Sequence, residues 1–294
     1  MRVGVTLLPE HDWAEDRHRW VRAEEYGFDH AWTFDHLAWR SLADSPWFAT
    51  VPTLTAAALS TTTLRLGTFV TSPNFRHPVL LAKELMTLDV ISGGRLNIGL
   101  GAGAAGFDAS MLGQPELSPR QAADRFREFV TLLDLLLSQP ETNWQGDWYT
   151  AVGARTVPGC VQQPHPPFLI AANGPRTMRV AIERGAGWIT MGNEQPGAGP
   201  DEWWAGVQRA VDAFEKVSDT AQHQLPISMR LLDMETPAAA FRSIDQFREA
   251  FGRAADLGFT DVVIAWPRDS EPFAGDEKLL ESLASQLDSI RKDS

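Results

Sequence analysis

The chain repeats one unit, an apolar strand followed by a helix, and residues 64–103 hold the clearest copy of it. Leu64–Ser72 has the pattern of a strand, and His77–Ser92 has helical periodicity. After a two-glycine turn, Leu96–Gly103 again has the pattern of a strand. This succession is the building block of parallel α/β proteins. The second strand ends in glycines, whose missing side chains would let a flat ligand approach the backbone.

The same unit recurs along the chain. Strands are predicted at Val3–Leu8, His30–His36, Leu64–Ser72, Leu96–Gly103, Phe168–Asn173, Gly187–Gly192, Pro226–Asp233 and Val262–Pro267. Each is followed by a predicted helix, at about 14–26, 52–61, 77–92, 118–138, 175–184, 200–217, 243–257 and 275–291. Strict alternation of eight such pairs predicts an α/β fold of the (β/α)8 TIM-barrel class, whereas an open doubly wound sheet would leave two pairs unexplained.

We expect one domain over residues 1–294, with insertions after the fourth strand (104–117) and after the fourth helix (139–167). The second insertion contains Trp144–Tyr149, which has the composition of a hairpin tip.

Composition narrows the function classes. The chain has 38 acidic and 26 basic residues and a formal charge of −12, which disfavours nucleic acid as a partner. The lone Cys160 allows neither a disulfide framework nor a cysteine zinc site. Because the sequence has no signal-peptide core and no long apolar run, we expect a cytoplasmic protein without a membrane segment.

In TIM barrels the active site lies at the carboxyl ends of the strands. Here those ends are rich in glycine, alanine and short polar residues, which suits a large, flat, partly apolar cofactor better than a metal ion. The second strand ends in Asp35 and His36, candidates for proton transfer because His titrates near neutral pH. Adjacent strand residues point to opposite faces, so at most one of the two is expected to point into the barrel. A buried structural histidine is the alternative.

Three further features of this rim bear on ligand binding. The run Gly101–Gly106 matches G-x-G-x-x-G and is interpreted either as a dinucleotide-binding loop or as a tight turn without a ligand. The next predicted helix begins only near residue 118, whereas a dinucleotide pyrophosphate needs a helix at the glycines, which disfavours the first interpretation. Asn173–Arg176 leads into a helix and is either a phosphate site or an ordinary capped turn. Trp13, Trp39, Trp47 and Trp266 fall on rim loops and are candidates to line an aromatic pocket.

Four motifs are distinctive in combination. They are Glu25–Asp29 leading to Trp32–His36; Leu66–Pro73 with Arg76–Pro78; Ala82–Asp89 with Ser92–Leu96 and Gly99–Gly103; and Ala171–Arg176 followed by Gly187–Thr190. In this combination the chain resembles, over nearly its whole length, the bacterial luciferase-like superfamily of flavin and deazaflavin oxidoreductases.

The resemblance implies a barrel that binds coenzyme F420 or FMN at its mouth, with a non-proline cis peptide bond, here Phe69–Val70, in a bulge of the third strand. By the same resemblance, Asp35 and His36 lie near the reacting carbon, and Trp39 lies beside the substrate. The implied cofactor contacts are Phe69, Val70, Thr71, Ser72, Gly101, Ala102, Gly103, Ala104, Ala171, Ala172, Asn173, Gly174, Pro175, Arg176, Gly192 and Asn193.

The motifs are closer to the deazaflavin branch, and the connection at about 234–242 is shorter than the lid that flavin monooxygenases often carry there. The resemblance thus implies hydride transfer between F420 and a small, partly apolar substrate, with His36, oriented by Asp35, handling the proton. The alternatives are an FMN-dependent monooxygenase supplied by a separate flavin reductase, and a barrel that binds flavin without turnover. Ala104 stands where deazaflavin sugar-phosphate dehydrogenases carry an acid, which argues against a sugar phosphate as substrate. A homodimer and a flavin or F420 reductase are the expected partners.

Overall fold

The computed structural model describes residues 1–103, 107–192, 199–222, 224–235 and 242–292. Within these ranges, eight parallel strands close into a barrel in the order β1-β10-β9-β8-β7-β4-β3-β2. They are β1 (Arg2–Thr6), β2 (His30–Thr33), β3 (Arg65–Thr71), β4 (Leu96–Gly101), β7 (Phe168–Ala171), β8 (Gly187–Thr190), β9 (Met229–Asp233) and β10 (Asp261–Ala265). The predicted TIM barrel is therefore confirmed, with every predicted strand present in slightly shorter form.

Helices follow each barrel strand and surround the barrel. They are α1 (Trp13–Glu25), α2 (Thr50–Ser60), α3 (Pro78–Ser92), α4 (Phe107–Met111), α5 (Pro119–Ser138), α6 (Pro175–Arg184), α7 (Pro200–Ser218), α8 (Ile244–Asp256), α9 (Glu277–Ala284) and α10 (Leu287–Lys292). Over the described ranges, none is both long enough and apolar enough to cross a bilayer.

Local chemistry explains several helix ends. Pro78 and Pro175 occupy first-turn positions, where the missing N–H has no intrahelical partner to lose. Ser118 and Gln121 form a reciprocal capping box at the start of α5. Gly93, after α3, adopts a left-handed conformation with φ of 64°, which glycine reaches without a Cβ clash.

Two regions depart from the predicted pattern. The last predicted helix is divided into α9 and α10, and the first insertion contains α4, a short helix that the sequence pattern did not indicate. The second insertion forms the antiparallel hairpin of β5 (Glu141–Gln145) and β6 (Thr150–Arg155), so the predicted hairpin tip is confirmed.

Apolar side chains fill two layers. The larger lies between the barrel and its helices, where Phe126, Phe129 and Trp188 are fully buried. The smaller lies inside the barrel and includes Trp32, Phe69 and Leu231. Because strand residues alternate between these two layers, the barrel interior is packed, and open space remains at the carboxyl ends of the strands.

Candidate active site

A cavity of about 550 Å³ opens at the carboxyl ends of the barrel strands. Its volume lies in the range of small-molecule and cofactor pockets. Its walls are largely apolar, and the residues that line them include Phe34, Phe69, Val70, Ile189 and Ile264. A few polar side chains interrupt these walls, so the cavity suits a partly apolar ligand that is oriented by a small number of hydrogen bonds.

One wall of the cavity is a bulge in β3. The Phe69–Val70 peptide bond is cis, as expected from the resemblance, and the pairing of β3 with β4 shifts register between Thr68 and Thr71. Both Phe69 and Val70 line the cavity.

The glycines of β4 make room for this bulge. A Cβ at Gly99 would stand 2.1 Å from the Thr68 carbonyl oxygen, and one at Gly101 would stand 2.7 Å from Val70 Cγ2. Gly101 is itself buried and does not line the cavity. The expectation that these glycines admit a ligand is therefore corrected, because the neighbouring strand fills the space beside them.

His36 follows β2 and points into the cavity. Its Nδ1 lies 2.7 Å from Oδ2 of Asp108, and Oδ1 of the same carboxylate accepts the Leu37 N–H at 2.7 Å. Since a carboxylate only accepts, Nδ1 carries the proton and donates it, leaving Nε2 as the free acceptor of the neutral ring. No described residue hydrogen-bonds Nε2, and the His36 side chain is 28% exposed.

Asp35 has a different role from the one expected. Its buried carboxylate accepts from Thr71 Oγ1 at 2.7 Å and from Arg76 through Nε at 3.1 Å and a terminal nitrogen at 2.6 Å. The expectation that Asp35 orients His36 is therefore wrong. Adjacent residues point to opposite sides of the chain, so Asp35 ties the β2 and β3 ends together, and Asp108 takes the place beside the imidazole.

An aromatic cluster covers one side of the cavity. Trp39 packs edge-on against Phe34 with ring centroids 5.1 Å apart and stacks on Phe273 at 6.1 Å. The loop that carries Phe273 is held by Arg268, which forms two hydrogen bonds to the Glu10 carboxylate, at 2.6 and 2.7 Å. Trp39 lines the cavity, as expected.

Trp13 and Trp266 do not line the cavity, so their expected substrate contacts are corrected. Ala265 and Pro267 face the cavity, and alternation along the strand turns Trp266 outward. There its ring stacks on that of Tyr26, the residue that directly follows α1, with the ring centroids 6.2 Å apart. Trp13 packs against the outer apolar layer at the start of α1.

A polar corner of the cavity lies after β7. Ala171, Ala172 and Asn173 line it, and Asn173 Oδ1 accepts from Thr190 Oγ1 at 2.7 Å. Gly174 then precedes α6 as its N-cap, without a capping side chain, and a Cβ built on it would meet nothing within 4 Å. Open space therefore lies beside the N-terminus of α6, where Arg176 is exposed.

Other expected cofactor contacts lie away from the cavity walls. Thr71 binds Asp35, Ser72 is buried and accepts from Asn74, Ala102 packs on the outer layer, and Gly103 has a φ of 75°. Gly192 donates its N–H to Thr190 Oγ1. The remaining two, Ala104 and Asn193, lie outside the described residues.

Comparison with known proteins agrees with this architecture. The sequence matches the profile of the luciferase-like monooxygenase family over residues 1–280. The chain belongs to this family. A curated relative, the F420-dependent glucose-6-phosphate dehydrogenase of Amycolatopsis mediterranei, is 33% identical over 71% of this chain and 62% of its own length. The 5,10-methylenetetrahydromethanopterin reductase of Archaeoglobus fulgidus is 30% identical over 74% of this chain and 63% of its own length. The matches thus span less than two thirds of these relatives.

Solved structures share the luciferase-like fold. The coenzyme F420-dependent tetrahydromethanopterin reductase of Methanopyrus kandleri superposes with a TM-score of 0.75, covering 96% of this chain and 97% of its own, at 20% identity. At that identity the likeness concerns the barrel and not the substrate.

Sequence reasoning missed two acids of this candidate site. Asp108 comes from α4, a single short helix with no clear periodic pattern, and lies 72 residues beyond its partner His36. Glu235 follows β9 and lines the cavity. Its position two residues past a predicted strand end was the one available signal.

Proposed function

We propose that this chain is a coenzyme F420-dependent oxidoreductase that moves hydride between the deazaflavin and a small, partly apolar organic substrate. The observation that carries the proposal is His36, which has one ring nitrogen held by Asp108 and the other open to an apolar cavity. The names of the relatives, an F420-dependent dehydrogenase and a methanopterin reductase, support the same chemistry. The family also contains FMN enzymes, so FMN is the alternative cofactor.

The described residues fit a tricyclic cofactor with a phosphate-bearing tail. Phe69 and Val70 offer a flat apolar surface for the ring, and Ala171–Asn173 lead from it towards α6. The uncapped N-terminus of α6, the open space over Gly174 and the Arg176 charge suit an anionic group. Bound there, deazaflavin supplies or accepts a hydride at its ring carbon.

In this proposal His36 handles the proton that accompanies hydride transfer. Asp108 fixes the ring so that Nε2 faces the cavity, where it accepts a proton from an alcohol or returns one to a carbonyl oxygen. The aromatic cluster around Trp39 covers the cavity and limits the access of water. The substrate proposed here is not a sugar phosphate, because Ala104 stands where deazaflavin sugar-phosphate dehydrogenases carry an acid.

Separate titrations with purified F420 and with FMN test the cofactor. We expect saturable F420 binding that Arg176→Ala weakens several-fold, since one favourable charge at the α6 N-terminus is lost. Arg179→Ala is the matched control, because Arg179 is exposed further along the same helix. Tight FMN binding without F420 binding would overturn the choice of cofactor.

The expected partners are part of the proposal. We propose a homodimer, and a reductase that supplies reduced cofactor, on the family resemblance alone. Light scattering of the purified chain measures the first, and a monomeric mass would contradict it.

A further inference from the structure

A half-buried acid in the cavity wall has no role in the chemistry assigned to His36. Glu235 lies just beyond β9 and lines the cavity, and its buried Oε1 has no hydrogen-bond partner among the described residues. Its backbone N–H donates to Asp233 Oδ1 at 2.9 Å, which fixes the course of the chain at this point. An unsatisfied buried oxygen costs about 1–3 kcal/mol, so a bound ligand that pairs with it recovers part of that cost.

The surroundings of Glu235 favour its neutral form. Burial raises the pKa of this carboxyl, and the nearby Asp233 carboxylate raises it further. The side chain of Thr6 lowers the pKa. The pKa therefore lies well above the ordinary value for glutamate. The other titratable side chains that line the cavity are His36, Arg40, Arg242, Glu271 and Asp276.

A neutral carboxyl carries an O–H donor, whereas a carboxylate only accepts. On the β9 and β10 sides, the apolar residues Met234, Ile264 and Ala265 line the cavity together with the acidic Asp233. The side chains of Met234, Ile264 and Ala265 carry no donor. A donor on Glu235 would therefore select ligands at this wall by whether they bring an acceptor, because a ligand without one leaves the donor unpaired.

We propose that Glu235 is a substrate-binding residue that donates a hydrogen bond from its neutral carboxyl to the carbonyl or hydroxyl oxygen of an uncharged substrate. This inference deepens the proposed function, on which it rests, by naming the substrate class: alcohols, ketones and aldehydes without a carboxylate or phosphate. Among the charged side chains that line the cavity, Asp233, Glu271 and Asp276 outnumber Arg40 and Arg242, which disfavours an anionic substrate group.

Infrared spectroscopy of the protein without cofactor tests the protonation state. At pH 7 the difference spectrum between wild type and Glu235→Gln should contain the C=O band of one neutral carboxylic acid. Taking the difference removes the contribution of Asp16, whose pKa burial also raises. Glu202→Gln, at an exposed site on α7, is the control and should show the loss of a carboxylate only. A Glu235→Gln spectrum that loses a carboxylate would overturn the proposal.

Calorimetric titration of the F420-loaded protein with cyclohexanone tests recognition. Glu235→Gln keeps an N–H donor and should retain the wild-type affinity within about threefold, whereas Glu235→Leu should lose roughly tenfold. Raising the pH should weaken binding to wild type but leave Glu235→Gln unchanged. Equal affinity of all three proteins, or tighter binding of cyclohexanecarboxylate than of cyclohexanone, would overturn the proposal.

The two proposals fail separately. Loss of F420 binding in the wild type would contradict the proposed function while leaving the infrared result for Glu235 intact. Normal F420 binding with an ionised Glu235 would contradict only the inference about substrate recognition.

Discussion

Replacing Asp108 by asparagine should separate the positioning of His36 from the rest of the site. Asp108 is 4% exposed, and its carboxylate makes two hydrogen bonds of 2.7 Å, to His36 Nδ1 and to the Leu37 N–H. The amide oxygen of asparagine can retain the contact with Leu37, but its NH2 group cannot accept from the Nδ1–H. The substitution therefore removes one charge-assisted hydrogen bond, worth about 1.5–3 kcal/mol.

If that bond supports the reacting geometry in full, kcat/KM falls roughly 10- to 100-fold. We expect this loss to appear in kcat, and the affinity for F420 to change little. The rate is measured from the absorbance of F420 with a panel of alcohols and ketones. Nitrogen-15 NMR of the imidazole should show that the Nδ1–H tautomer of the wild type is lost, and Asp108→Glu should restore part of the activity. Asp124→Asn, on the exposed face of α5, is the control. Asp108→Asn with wild-type kcat and an unchanged tautomer would refute the positioning of His36 by Asp108.

Two further predictions concern the scaffold. Burial alone would raise the pKa of Glu24, but N–H donors of Thr63, Leu64 and Thr62 hold it at about 2 instead of 4.5. Glu24→Gln should therefore destabilise the protein by roughly 1–2 kcal/mol, a value that allows for solvent screening. The destabilisation should be complete above pH 4.5 and should vanish as the pH falls through about 2. Urea unfolding across pH checks this with Glu25→Gln as the control, and a pH-independent difference would contradict it. Gly99→Ala should destabilise the protein by about 3 kcal/mol or more, because its Cβ would meet the Thr68 carbonyl at 2.1 Å. Gly174→Ala, with open space around its Cβ, should change the melting temperature little, and similar melting temperatures of both variants would contradict the packing of the bulge.

The barrel was predictable because each strand and helix carries its own periodic pattern. Strand-length apolar runs that alternate with helical periods leave few topologies for a chain of this length. The rule that barrel sites lie at the carboxyl ends of the strands indicated the end at which the cavity opens. Short segments without periodicity escaped prediction. Helix α4, Phe107–Met111, is too short to show a helical period.

The partners of individual side chains were less predictable than their positions. Asp35 and His36 are adjacent in sequence, yet one binds Arg76 and the other binds Asp108. Sequence adjacency suggested that the first orients the second, whereas strand alternation separates them. Trp266 shows the same effect, since its neighbours face the cavity while it packs on Tyr26. Side-chain direction at a strand end depends on where the regular pleat stops, and the sequence pattern fixes that point only within a residue or two.

The two proton-bearing groups of the cavity are suited to different steps. His36 is 28% exposed and paired with a carboxylate, so its Nε2 can exchange protons with solvent between turnovers. Among the described residues nothing pairs with the buried Oε1 of Glu235, and burial and the nearby Asp233 raise the pKa of its carboxyl. This group is therefore suited to donating a hydrogen bond and not to transferring a proton. In the barrel, β2 and β9 are separated by β1 and β10, which places the two groups on different walls around a common ligand. Loss of the Asp108 contact should therefore appear in kcat, and loss of the Glu235 donor should appear in substrate affinity.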